Sequence, residues 1–199
     1  MKETGIVMQT MKNIITLLTL TFIGIWPTVQ AEALPTPKMP TPTVIPSPPN
    51  VAAESYLLID YHSGHVLAEK RSDERVEPAS LTKIMTGFVV INELNNDNMS
   101  LDDMVTISKK AWKMPGSKMF IEVGKKISVR DLVKGMVIQS GNDASVALAE
   151  HIAGSEEVFA QLMNKYAAKL GMTGTNYVNS TGLPHPDHYT TAHDLSLLT

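Results

Sequence analysis

No cysteine occurs among the 199 residues. Disulfides and thiolate metal sites are therefore excluded, though the compartment is not set by this alone. No long basic run is present and the formal net charge is −3, so the chain carries no electrostatic footprint for nucleic acid. No internal repeat is visible. The apolar run at residues 14–25 is short for a membrane span, which needs roughly 20 residues.

What is there begins with that run. Lys12 precedes it, Pro27 follows, and Val29-Gln30-Ala31 fits a small-x-small cleavage site. These are the three parts of a secretory signal peptide, predicted over residues 1–31. An uncleaved signal anchor is the other reading, and either way the rest is exported. Met8 and Met11 are alternative starts. Residues 32–50 hold seven of the twelve prolines, mixed with Thr and Ser, a composition for an extended tether. With 43% hydrophobic residues, the remainder, 51–199, has enough apolar side chain for one domain with a core.

Within it, Tyr56-Leu57-Leu58-Ile59-Asp60 and His65-Val66-Leu67-Ala68-Glu69 are strand-like, and Ser63-Gly64 marks the turn of a hairpin. A helix starts near Pro78 and stops at Asn95-Asn96-Asp97-Asn98. Leu81, Ile84, Met85, Phe88 and Val89 form its apolar face. Residues 101–127 read as mostly loop with short strands or turns. Ser128-Val129-Arg130-Asp131 is a capping-box variant opening a second helix, with Leu132, Val133, Met136 and Val137 on its apolar face. That helix stops at Ser140-Gly141-Asn142. A third runs from Asp143 to Gly154. Ser155 caps a fourth, with Glu156 and Glu157 at its positive end, Lys165 and Lys169 toward its negative end, and Gly171 as its stop. Phe159, Leu162, Met163, Tyr166 and Leu170 are its buried stripe.

The stretch Pro78-Ala79-Ser80-Leu81-Thr82-Lys83 puts a hydroxyl and an amine at i and i+3, neighbours on a helix. Serine is a weak nucleophile near neutrality and needs a base within hydrogen-bond reach. A lysine serves if burial and the helix N-terminus disfavour its charge, and the same helix end offers N–H groups to an oxyanion. Alone, the motif reads first as a cap at Ser80 and a solvated side chain at Lys83. Ser140-Gly141-Asn142 follows some sixty residues later at a helix junction. A second hydroxyl there can relay a proton. An asparagine amide can bind a substrate carbonyl and hold Lys83. Paired in this order, the two elements match a known signature of penicillin-interacting serine enzymes.

The chain resembles the D-alanyl-D-alanine carboxypeptidases of peptidase family S11, the low-molecular-mass penicillin-binding proteins. Pro78-Ala79-Ser80-Leu81-Thr82-Lys83-Ile84-Met85-Thr86 and Ile138-Gln139-Ser140-Gly141-Asn142-Asp143-Ala144 carry the resemblance. Tyr56 to Leu67, Gly182-Leu183 and Tyr189-Thr190-Thr191-Ala192-His193-Asp194 support it. It implies an α/β (α+β) serine β-lactamase/DD-peptidase-like fold: a five-stranded antiparallel sheet packed on helices beside an all-helical lobe. It implies Ser80 as acyl-accepting nucleophile, Lys83 as base, and Ser140 and Asn142 as the second catalytic element. The implied substrate is the D-Ala-D-Ala end of a peptidoglycan pentapeptide, cleaved through an acyl-serine without a cofactor. The resemblance also implies that β-lactams trap the same serine, in an exported enzyme that is periplasmic or at the outer face of the bacterial cytoplasmic membrane.

The family's third element, K-T-G, is absent, since Met172-Thr173-Gly174 lacks the lysine and comes too early. The sequence therefore reads as C-terminally truncated, inside a helix at 191–198, and any membrane association as a property of the missing part. A hairpin at 56–69 without sheet partners is marginal. A class A β-lactamase is the first alternative. It needs a later glutamate for deacylation, and none follows Glu157. The second is a non-catalytic peptidoglycan-binding relative. His185-Pro186-Asp187-His188 invites a zinc reading, but with no third distant ligand it reads as a proline-containing surface loop.

Overall fold

The computed structural model describes residues 47–199. The signal peptide and residues 32–46 of the tether lie outside the described residues; 47–50 are exposed and irregular. Strands β1 (Tyr56–Ile59) and β2 (Val66–Lys70) pair antiparallel, Tyr56 opposite Lys70, with a bulge between Leu58 and Ile59. The turn is built by Asp60, whose carboxylate accepts from Ser63 N–H at 2.8 Å and from its hydroxyl at 2.6 Å. Gly64 closes it at φ 68°. This Asx turn is why Ser63-Gly64 reads as a turn from sequence. Leu58 and Leu67 remain more than half exposed. Of the five-stranded sheet implied by the resemblance, the described residues hold this hairpin.

A single 3₁₀ turn, Ala79–Leu81, feeds α1 (Thr82–Asn95). Met85, Val89 and Val90 of α1 are fully buried, whereas Leu81 and Ile84 are 51% and 38% exposed. The apolar stripe expected through Leu81 and Ile84 is therefore rotated. Thr82, Lys83 and Thr86 take the inward positions because a later loop presents carbonyls and an imidazole to them. Two short strands, β3 (Met104–Thr106) and β4 (Lys126–Ser128), pair antiparallel as a separate ribbon. Between them lies a short helix, α2 (Lys109–Lys113), capped by the Ser108 hydroxyl. It falls where loop was expected, and only its Ala111 is buried, too little for a periodic signal.

Helix α3 (Val129–Gln139) starts as expected at Ser128, whose hydroxyl accepts from Asp131 N–H at 3.1 Å. The other half of the box differs: the Ser128 hydroxyl donates to the Asp131 carboxylate at 2.9 Å. Helix α4 (Asn142–Ala153) is buried along the whole of 142–149. A helix buried all round lies inside a core. Its alanines and Ser145 are small enough to admit neighbours on every side. One cluster, with Val105, Leu132, Met136 and Val146, packs on one side. The other, with Met85, Val89, Phe159, Met163 and Tyr177, packs on α5 (Glu156–Leu170). The buried stripe of α5 is Phe159, Ala160, Met163 and Ala167, with Leu162, Tyr166 and Leu170 only partly covered. Gly154 and Gly171 end α4 and α5 in left-handed conformation, as such stops require. The last helix, α6 (Ala192–Leu198), is capped by Thr191. No helix among the described residues is long and apolar enough to cross a membrane.

Candidate active site

Three of the four expected side chains meet. Ser80 lies in the 3₁₀ turn before α1, exposed, and Lys83 in the first turn of α1, 8% exposed. The Lys83 amine donates to Ser80 Oγ at 3.2 Å and to the Thr181 carbonyl at 2.8 Å. From the α3–α4 junction, Ser140 Oγ donates to Ser80 Oγ at 3.1 Å. Amine and second hydroxyl thus converge on one oxygen from two helices. Burial alone pushes the Lys83 amine down to about 8, because its hydrogen-bond partners carry no charge to hold the proton.

The backbone on both sides is strained. Ala79 sits at φ 46° and Ser140 at φ 53°, left-handed positions that cost a non-glycine residue and gather at functional sites. Ser140 occupies the C-cap of α3, where the chain must reverse into α4. Ala79 is held by the loop at Gly182. A Cβ on Gly182 would lie 1.7 Å from the Ala79 carbonyl oxygen, so only glycine lets the two backbones touch. A cleft of about 340 Å³ opens beside the hydroxyls, lined by Ser80, Lys83 and Ser140 and by the apolar Ile84, Phe88 and Met136. This explains the exposure of Ile84: it faces the cleft.

Residues 42–199 match the peptidase S11 family, described as D-alanyl-D-alanine carboxypeptidase. The chain belongs to that family. It is 51% identical to the D-alanyl-D-alanine carboxypeptidase DacC of Escherichia coli over 75% of this chain and 39% of the relative. Its fold superposes on the carboxypeptidase DacD of Francisella tularensis with a TM-score of 0.75 at 46% identity, covering 78% of this chain and 38% of that one. Penicillin-binding protein 5 of Haemophilus influenzae gives a TM-score of 0.74 at 42% identity, with 76% and 45% covered. The chain thus spans about two fifths of the length of the curated relatives it matches.

Asn142, the fourth expected residue, does not reach the Lys83 amine. Its side-chain amide donates to the Pro115 carbonyl at 2.7 Å, and its backbone N–H to the Ser117 carbonyl at 2.7 Å. Among the described residues neither Ser80 nor Lys83 is its hydrogen-bond partner. The carbonyl of Thr181 takes the task of holding the Lys83 amine. Sequence reasoning missed it because a backbone carbonyl has no residue signature. Gly182, next in the chain, was the readable trace. Glu156 is another departure. It reads as a dipole-compensating first-turn charge, yet it is 5% exposed. Its carboxylate accepts from Ser180 N–H and Oγ at 3.0 and 2.8 Å and pairs with Lys110 at 3.0 Å. It braces the loop that carries Thr181.

His185 and His188 part company. His185 is half exposed, 3.9 Å from the Asp187 carboxylate, while His188 is 2% exposed and turned inward. No group of three histidine or acidic side chains among the described residues is placed to hold a metal ion.

Proposed function

We propose that this chain supplies the nucleophile and base of a serine D-Ala-D-Ala carboxypeptidase acting on peptidoglycan pentapeptides. The observation that carries the reading is the convergence of the Lys83 amine and the Ser140 hydroxyl on Ser80 Oγ, at 3.2 and 3.1 Å. Neutral Lys83 takes the Ser80 proton as Oγ attacks the carbonyl of the penultimate D-Ala. Ser140 gives its proton to the departing amine of the terminal D-Ala and is reprotonated by the Lys83 ammonium, which leaves Lys83 neutral again. Acyl-Ser80 forms, and water, deprotonated by the same amine, releases the shortened peptide. Asn142 acts as a positioning residue that ties the 115–117 backbone to the start of α4. A β-lactam amide opened by Ser80 gives the same acyl bond.

Export belongs to the same proposal. Residues 1–31 direct the chain out of the cytoplasm, 32–50 tether it, and the domain from 51 works at the cell wall. A mature N-terminus at Glu32 is the expected result of N-terminal sequencing.

The experiment is covalent labelling of the full-length protein with a fluorescent penicillin, together with D-alanine release from a D-Ala-D-Ala-terminated peptide. Label should map to Ser80 and vanish in Ser80→Ala, and D-alanine release with it. Label that survives Ser80→Ala overturns the assignment. Fast hydrolysis of the penicillin instead of a lasting adduct would make the protein a β-lactamase.

A further inference from the structure

We infer that His188 is a positioning residue for the nucleophile turn: acting through the Thr82 hydroxyl, its imidazole clamps the loop of residues 178–190 onto the helix start that carries Ser80 and Lys83. The inference rests on the reading of those two residues as the catalytic pair.

The clamp is visible bond by bond. His188 Nδ1 accepts from Val178 N–H at 3.1 Å. A nitrogen that accepts is unprotonated, so the ring proton sits on Nε2. Nε2 lies 2.8 Å from Thr82 Oγ1 and donates to it. Thr82 is fully buried and stands between Ser80 and Lys83 in the chain. The Tyr177 ring meets the imidazole edge-on, with centroids 5.7 Å apart. Burial first, then the neighbouring His185, pushes the imidazole down to about 4, with Glu156 acting the other way. It is neutral wherever Lys83 can work as a base, and both its nitrogens are already engaged. It therefore holds rather than transfers a proton.

What the clamp holds is the wall of the site. The same loop presents the Thr181 carbonyl to the Lys83 amine and the Ser180 carbonyl to Thr86 Oγ1, at 2.8 and 2.7 Å. Positions 82, 83 and 86 of α1 are thus bonded to a single loop. Two of the three bonds use loop carbonyls, which any residue provides. Only the bond to Thr82 depends on a loop side chain. Without it the loop is freer to lift from Lys83, and lifting admits water to the amine that burial keeps easy to deprotonate.

A merely structural histidine would affect stability and leave Lys83 alone, so the test reads Lys83 directly. The Nζ titration of Lys83 is followed by NMR in the full-length protein, beside the pH profile of penicillin acylation. His188→Gln puts an amide nitrogen near the place of Nε2 and keeps the donor to Thr82. His188→Asn reaches only the place of Nδ1 and loses it. Thr82→Val removes the other partner at nearly constant volume. His188→Asn and Thr82→Val should each raise the Lys83 midpoint by about one pH unit, leaving about tenfold less neutral amine at pH 7. His188→Gln should stay near wild type. The double variant His188→Asn with Thr82→Val should move no further than either alone, as coupled partners do. Val146→Ala, a core change in α4, lowers Tm without moving the midpoint. The inference is overturned if Asn and Gln are indistinguishable, if both disrupting variants lower Tm but leave the midpoint in place, or if Val146→Ala moves it equally. Should His188→Asn not fold, Thr82→Val carries the test alone. If penicillin fails to label Ser80 in wild type, the catalytic reading falls, while the Lys83 titration still reports whether the clamp exists.

Discussion

Ser80 and Lys83 are three residues apart yet differ in environment: the hydroxyl is exposed and the amine buried. An amine pushed down to about 8 by burial is neutral in about a tenth of molecules at pH 7, and each further pH unit below that value costs about another tenfold. Acylation by a fluorescent penicillin should therefore rise with pH and level off above about 8. Lys83→Arg should flatten that rise and slow acylation by about 10²–10⁴-fold, because a guanidinium cannot accept the Ser80 proton. Stopped-flow fluorescence decides it, and an arginine variant acylating at the wild-type rate would remove Lys83 as the base. Ser140 combines two roles, which separate by substitution. At φ 53° glycine fits its backbone better than any other residue. Ser140→Gly should hold or raise Tm while slowing acylation more than it weakens penicillin binding. A rate within twofold of wild type would reduce the Ser140 hydroxyl to a helix end.

Elements in this chain are held together by polar groups that reach across long loops. Asp143, at the start of α4, accepts from the backbone N–H groups of Met119, Phe120 and Ile121 at 3.0, 2.9 and 3.3 Å, and from Ala144 N–H at 2.9 Å. The 115–121 segment has no ladder of its own, and its backbone needs those acceptors. Asp143→Ala should cost about 3 kcal/mol or more, since several N–H groups lose their partner at once. Urea unfolding checks the loss, and faster amide exchange at 119–121 locates it; unchanged exchange would mean the segment supports itself. These long reaches also mark what could be read in the sequence. The caps at Ser128 and Ser155 and the stops at Gly154 and Gly171 are local chemistry between near neighbours, and they read correctly. So did the hairpin turn, and Ser80 and Lys83 do project together from one helix start as their spacing suggests. The Thr181 carbonyl on Lys83 spans 98 residues, and the His188 bond to Thr82 spans 106. Neither has a periodicity or a spacing to betray it. The same loop turned α1 away from its expected stripe, because three polar positions of that helix had partners that local pattern cannot supply.

At the scale of the whole molecule, two buried groups, His188 and Lys83, tie stability to pH. His188 is held near 4 in the fold, against about 6.5 for a free imidazole. As pH falls below 6.5 the unfolded chain takes up a proton that the folded chain refuses. The contribution of neutral His188 is therefore complete above 6.5 and is lost as pH drops through about 4, on the order of 3 kcal/mol in all. Lys83 works at the other end. Its folded value of about 8 lies below the ordinary 10.5, so between the two the unfolded chain holds the extra proton, and stability grows as pH rises through that window. Both groups favour the alkaline side, which is also where the proposed mechanism has neutral Lys83 activate Ser80. His188→Gln has nothing to titrate at that position. Its stability, followed by urea unfolding from pH 7.5 down to 4.5, should fall by about 2–3 kcal/mol less than that of wild type over the same range. Parallel curves for the two proteins would mean that His188 takes up its proton in the fold as readily as in the unfolded chain. The imidazole would then not be buried against Thr82 in solution, and the loop that holds Lys83 would lose its side-chain bond to α1.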